Sequence, residues 1–206
     1  MAPLNIPYVC CSYDNQYGTL PPDSYASVSI ADEEEACRAV TELYRCGHRR
    51  IAALVSGTED RSISQLRYQG YVRALAAHGL PLERELVIEA GSFDIRQSYL
   101  AMQRRLLAGA QFTALFAISD NMAIGAMRAL REAGRRIPED CSVIAIDGLT
   151  VSDYINPALT TLCQPMEHMG RRSVEILLDM VEHRGGPIRE TAHTTLRTGE
   201  SVRDIS

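Results

Sequence analysis

Short apolar runs alternate along this chain with stretches in which apolar residues recur every three or four positions. The runs predict strands and the periodic stretches predict amphipathic helices. Residues 6–11 read as a first strand and 26–30 as a short second one, separated by a loop over 14–24 rich in Pro, Gly, Asp and Asn. Asp32 followed by Glu33, Glu34 and Glu35 reads as a capping box with an acidic first turn, which complements the helix dipole. Ala36, Val40, Leu43 and Tyr44 mark the buried face of that helix, and Gly47 is its left-handed stop.

The alternation then repeats. Strands are predicted at 51–55, 86–89, 114–118, 142–146 and 159–163, with a last threonine-rich strand at 191–197 whose composition suits an edge. Helices are predicted at 64–78, 95–108, 120–133 and 166–183, the third capped by Asp120 and stopped by Gly134. Loops are expected after Val55, over 57–61, and again over 150–157. Strands alternating with helices of this length make βαβ units, hence an α/β fold around a doubly wound parallel sheet.

In such sheets ligands bind beyond the carboxyl ends of the strands. The polar residues there are Ser56 and the loop leading to Arg67, then Ser119 and Asp120, then Asp147, then Gln164. Hydroxyls, one guanidinium and a carboxylate suit an uncharged, hydroxyl-rich ligand. Each has a plainer reading. Asp120 reads as a helix cap, Ser119 as an ordinary loop residue and Arg67 as a surface salt-bridge partner. Asp147 ends an apolar strand without helix duty, which makes it the best unaided candidate for a ligand contact.

Composition narrows the function. The 206 residues are 46% hydrophobic and 23% charged, ordinary for a globular chain. With 26 acidic and 21 basic side chains the net charge is −5, which lacks the basic footprint of a nucleic-acid binder. No apolar run is long enough to span a bilayer, and the first five residues do not read as a signal peptide, so a cytoplasmic location is expected. The six cysteines, Cys10, Cys11, Cys37, Cys46, Cys141 and Cys163, show no metal-ligand spacing and read as buried free thiols. Dinucleotide, phosphate-loop and nucleophile-elbow signatures are absent. His48 reads as a cap or packing histidine, and His78 and His183 sit near helix C-termini. No enzyme, cofactor or metal is expected.

Five ordered segments are familiar. Leu43-Tyr44-Arg45-Cys46-Gly47-His48-Arg49-Arg50-Ile51-Ala52 resembles the Gly-His-Arg-Arg-Ile-Ala signature of LacI/GalR-type transcriptional regulators. Arg67 to Leu75 resembles their Arg-x-x-Gly-aromatic-x-x-Ala-Leu helix, and Ser119 to Ala126 their Asn/Ser-Asp-x-Met-Ala-x-Gly-Ala segment. Ile137 to Asp147 is similar to Ile-Pro-x-Asp-hydrophobic-Ser-Val-x-Gly-aromatic-Asp, and Pro157 to Leu162 to Pro-Pro-Leu-Thr-Thr-Ile. The resemblance covers nearly the whole chain. Ala145 and Ile146 depart from the family's glycine and aromatic, and Gly148 from its Asp or Asn.

The resemblance implies a type I periplasmic-binding-protein-like fold of two doubly wound lobes joined by three crossings. It implies a partial N-lobe over 1–80 and 159–184 and a C-lobe over 81–158 and 188–201. It further implies a sugar or nucleoside effector held by Arg67, Ser119, Asp147 and Met166, the last standing where an aromatic residue often stacks on the ligand. A homodimer is implied, with DNA bound only through a helix-turn-helix headpiece that these residues lack. An incomplete N-lobe would expose a parallel sheet edge and apolar helix faces, giving poor solubility or rescue by dimerisation. A transport-type sugar-binding protein of the same fold is the alternative, and an unrelated α/β enzyme is a more distant one.

Overall fold

A computed structural model describes residues 6–14, 20–21, 25–58 and 62–206. The chain start, most of the loop expected over 14–24 and residues 59–61 of the loop after Val55 lie outside the described residues. In chain order the elements are β1 (Val9–Cys11), β2 (Ala26–Ile30), α1 (Asp32–Arg45), β3 (Ile51–Val55), α2 (Ile63–Ala77), β4 (Val87–Glu89), α3 (Ile95–Leu107), β5 (Ala114–Ala117), α4 (Asp120–Glu132), β6 (Ser142–Asp147), β7 (Thr160–Cys163), α5 (Met166–Val181), β8 (Arg189–Ala192) and β9 (Thr195–Arg197). Short 3-10 turns precede β4 at Arg84–Leu86 and follow β6 at Thr150–Asp153.

The chain forms two compact units, Met1–Ala31 with Gln164–Thr194, and Asp32–Cys163 with Thr195–Ser206. In the smaller unit β1, β2 and β8 form a parallel three-stranded sheet in that order. Helix α5 turns Met169, Ser173 and Ile176 inward, while Val174, Leu178 and Val181 stay exposed.

The larger unit holds a six-stranded sheet in the order β4-β3-β5-β6-β7-β9, parallel except where β9 runs antiparallel to β7. Every residue of β3 and β5 is buried, which is why both read as unbroken apolar runs. Phe116, Leu115, Ile144 and Leu54 lie at the centre of this core, each contributing about 1.5–3 kcal/mol by burial. The helices pack in two pairs, α1 with α2 and α3 with α4. Gly70 lets α2 approach the Glu33 carbonyl of α1, and Gly125 lets α4 approach the Ile95 carbonyl of α3. Gly47 ends α1 at φ +87, with Ser206 N 2.6 Å from where a Cβ would stand, so glycine is required there twice over.

Three expectations are corrected. Residues 32–80, assigned to the N-lobe, belong to the larger unit, because β3 pairs with both β4 and β5 in its sheet. Residues 159–163, expected to return to the N-lobe, also stay in the larger unit, because β7 pairs with β6 and β9. The last strand is two strands: β8 pairs with β2 in the smaller unit and β9 with β7 in the larger, the chain changing unit between Thr194 and Thr195. A threonine-rich run carries no mark of such a change, since either half satisfies an edge position. The cysteines also differ from expectation, all being free but only Cys10 and Cys141 buried, with Cys11 exposed.

Candidate strand-end binding site

Arg67 is at the centre of the site. It lies on α2, whose N-terminus is capped by the Ser62 side chain accepting from the Ser64 amide. The close crossing at Gly70 brings the first residue of α1 alongside, and Arg67 Nε donates to Asp32 Oδ1 at 2.8 Å. Arg67 Nη1 donates to the Ile118 carbonyl just beyond β5 and to Asp147 Oδ1 at 3.2 Å. Parallel pairing of β5 with β6, Phe116 beside Ile144, places those two strand ends together.

Arg67 is therefore not a surface ion-pair partner. Its side chain and that of Asp32 are each 3% exposed, against 18% for Asp147. Burial pushes the Asp32 carboxyl up, with the Arg67 charge and hydrogen bond pulling it back. Burial works against the charged guanidinium, but the charges of Asp32 and Asp147 leave Arg67 more firmly protonated than usual. One guanidinium thus faces two carboxyl groups, and the more accessible of the two is that of Asp147.

The backbone at Asp147 is unusual. Its φ is +143, a conformation that L-residues rarely adopt, and Gly148 follows at +78. A Cβ on Gly148 would stand 2.6 Å from Cys163 Cα. Asp147 is the register partner of Cys163 on β7, and Cys163 is in turn the partner of Thr195 on β9.

Ser119 caps α4, its Oγ accepting from the Met122 amide at 3.3 Å, so the cap expected at Asp120 is one residue earlier. Ser119 is buried and adjoins the Ile118 carbonyl that Arg67 holds. Asp120 is fully buried and accepts three hydrogen bonds, from the Leu149 amide and Ser152 hydroxyl at 2.7 Å and the Thr161 hydroxyl at 2.6 Å. The sequence shows Asp120 only as a helix cap; its three partners are loop and strand residues 29 to 41 positions away.

Of the four predicted ligand residues, Arg67, Ser119 and Asp147 are brought to the ends of β5 and β6. Met166 heads α5 in the smaller unit, 48% exposed and beside Pro165 and Arg171 in a surface groove. Gln164, in the same unit, accepts from the Ser12 hydroxyl at 3.3 Å. A hollow of about 490 Å³ lined by Thr58, Tyr68, Arg84, Val87, Glu89 and Arg105 contains none of the four. The expected packing histidine is a connected one. His48 is buried, with Nδ1 3.0 Å from the Thr113 hydroxyl and Nε2 2.9 Å from the Ser142 hydroxyl and 3.2 Å from the Arg203 carbonyl. Among the described residues no group of His, Cys, Asp or Glu is arranged to hold a metal ion, and no helix is long and apolar enough to cross a membrane.

The periplasmic binding protein-like domain family matches residues 40–202, and the chain belongs to it. Its relatives are transcriptional regulators. The HTH-type transcriptional regulator CelR of Thermobifida fusca is 34% identical over 199 residues, 97% of this chain and 56% of that protein. The chain thus spans little more than half the length of that relative. A LacI-family regulator structure from Sanguibacter keddieii superposes with a TM-score of 0.88 at 30% identity, covering 96% of this chain and 74% of that one. The structure of a CelR–cellobiose complex superposes at 0.83 with 33% identity, covering 95% and 58%. The resemblance to LacI-type regulators and the periplasmic-binding-protein-like fold stand on these matches.

Proposed function

We propose that this chain is the effector-binding domain of a sugar- or nucleoside-responsive LacI-type regulator and catalyses no reaction. The observation that carries this is the Arg67–Asp147 pair. Arg67 is buried and held by Asp32 and the Ile118 carbonyl, so it fixes the Asp147 carboxylate at the strand end without competing for its solvent side. A carboxylate accepts hydrogen bonds from vicinal hydroxyls and, when ionised, repels anionic ligands. A polyhydroxylated neutral molecule fits both conditions. Ser119 supplies a hydroxyl at the neighbouring strand end.

Ligand occupancy would act on transcription by binding two conformations with different affinity. Homodimer formation, DNA binding through a helix-turn-helix outside these residues and a cytoplasmic setting belong to the same proposal. The test is a thermal-shift panel of neutral sugars and nucleosides. It begins with cellobiose, which a relative binds, and hits are checked by calorimetry. A rise in melting temperature with at least one neutral polyol, lost in Asp147→Ala, supports the reading. Responses confined to anionic metabolites, or hits indifferent to Asp147, overturn it.

A further inference from the structure

Asp120 lies beside the proposed site without belonging to it. It is fully buried, on the first turn of α4, and its carboxylate faces donors only. Oδ2 takes the Leu149 amide and the Ser152 hydroxyl, both from the turn that follows Asp147 and Gly148. Oδ1 takes the Thr161 hydroxyl from β7, the strand paired with β6. The same turn is held from the other side by Arg197, which donates to the Leu149 carbonyl at 3.1 Å and to Asp153 at 3.0 Å. Immediately before the clamped Leu149 come Asp147, the last residue of β6, and Gly148, and both have positive φ. A strained backbone persists only where its surroundings over-determine it, and Asp120 supplies the inner clamp.

We propose that Asp120 is a positioning residue: by anchoring Leu149 and Ser152 to the N-terminus of α4 it fixes the Asp147–Gly148 backbone, and so the direction of the Asp147 carboxylate. Its bearing on binding rests on the reading of Asp147 given above. The geometric role does not, and the test uses the chain without ligand so that the two can fail separately.

The measurement is amide hydrogen exchange of the 147–154 segment against that of α4 residues 122–132. Asp120→Ala should speed exchange of the segment by about tenfold, the scale of one to two lost hydrogen bonds, with α4 changed by less than about twofold. Asp120→Asn is the conservative variant. Its carbonyl oxygen can still accept from Leu149 and Ser152, and its amide can donate to a rotated Thr161 hydroxyl, so the segment should stay within about twofold of wild type. If Asp120→Ala fails to fold, Ser152→Ala removes one loop-side bond alone and should still speed the segment by about threefold. Thr161→Val, which touches only the strand side, should leave the segment unchanged. Equal acceleration of segment and α4, or an Asn variant as loose as the Ala variant, would overturn the role, since acceptor geometry would then not be what matters. An unmoved segment in both Asp120→Ala and Ser152→Ala would overturn it as well.

Discussion

Arg67 Nη1 lies 3.2 Å from Asp147 Oδ1 although 80 positions separate them in the chain. The hydrogen bond joins the second turn of α2 to the end of β6, and Arg67 is also held by Asp32 and the Ile118 carbonyl. What reaches solvent is the carboxylate, not the guanidinium. A site built this way presents an acceptor whose direction is set by a buried cation.

Asp147→Ala removes the accessible acceptor and should weaken binding of any neutral polyol found in the panel by about tenfold or more, the scale of a charge-assisted hydrogen bond. The larger unit should remain folded, because Arg67 keeps Asp32 and the Ile118 carbonyl. Calorimetry for affinity and circular dichroism for folding check the two halves of this statement.

Arg67→Ala leaves Asp32 buried without its cation, and should destabilise the fold by about 3–5 kcal/mol near neutral pH. The loss should shrink on acidification. Burial already holds the Asp32 carboxyl above its ordinary 3.8, so without Arg67 the group protonates more readily and the buried charge disappears. Urea denaturation of wild type and variant across the acid range measures the difference. A penalty that grows as pH falls would contradict the assignment.

Gly148→Ala meets two obstacles at once, a φ of +78 and a Cβ 2.6 Å from the Cα, Cβ and Sγ atoms of Cys163. Destabilisation of about 1–3 kcal/mol is expected, with the turn displaced and polyol affinity lost. Cys163→Ala takes away the sulfur but leaves the backbone of β7 in the way, so the double variant should recover only part of the melting temperature.

His48 gives the fold a pH dependence of definite sign. The Arg203 carbonyl can only accept, so Nε2 carries the proton and Nδ1 accepts from the Thr113 hydroxyl. Burial lowers the imidazole below its ordinary 6.5, with the Arg203 carbonyl and Asp204 opposing and the charges of Arg203 and Arg49 reinforcing. The unfolded chain therefore takes up a proton before the folded one does. Stability is whole above 6.5 and is lost as the pH falls from there towards the folded value. Urea midpoints at about pH 7.5 and about pH 5.5 should differ less in His48→Asn than in wild type.

The elements were legible because each rests on local signals. The unbroken apolar runs of β3 and β5, the glycine stop at Gly47 and the periodic face of α1 all lie within a few residues of the feature they mark. Partnership was less so. Asp32 reads as a cap and Asp120 as another, yet their carboxylates go to Arg67 and to the turn after β6, because those partners arrive through tertiary folding. Strand-end position together with family resemblance nominates Arg67, Ser119 and Asp147 as candidates, and neither reveals that the guanidinium is buried. The unit boundaries were misplaced because β3 has the composition of a central strand in either lobe, and only its hydrogen bonds to β4 and β5 decide which.

The backbone passes between the two units after Ala31, after Cys163 and after Thr194. Asp32, first beyond one passage, is gripped by Arg67; Cys163, last before the second, is the register neighbour of Asp147; and Thr195, first beyond the third, is the register neighbour of Cys163. One carboxylate therefore lies within two neighbours of every doorway by which the polypeptide leaves the larger unit.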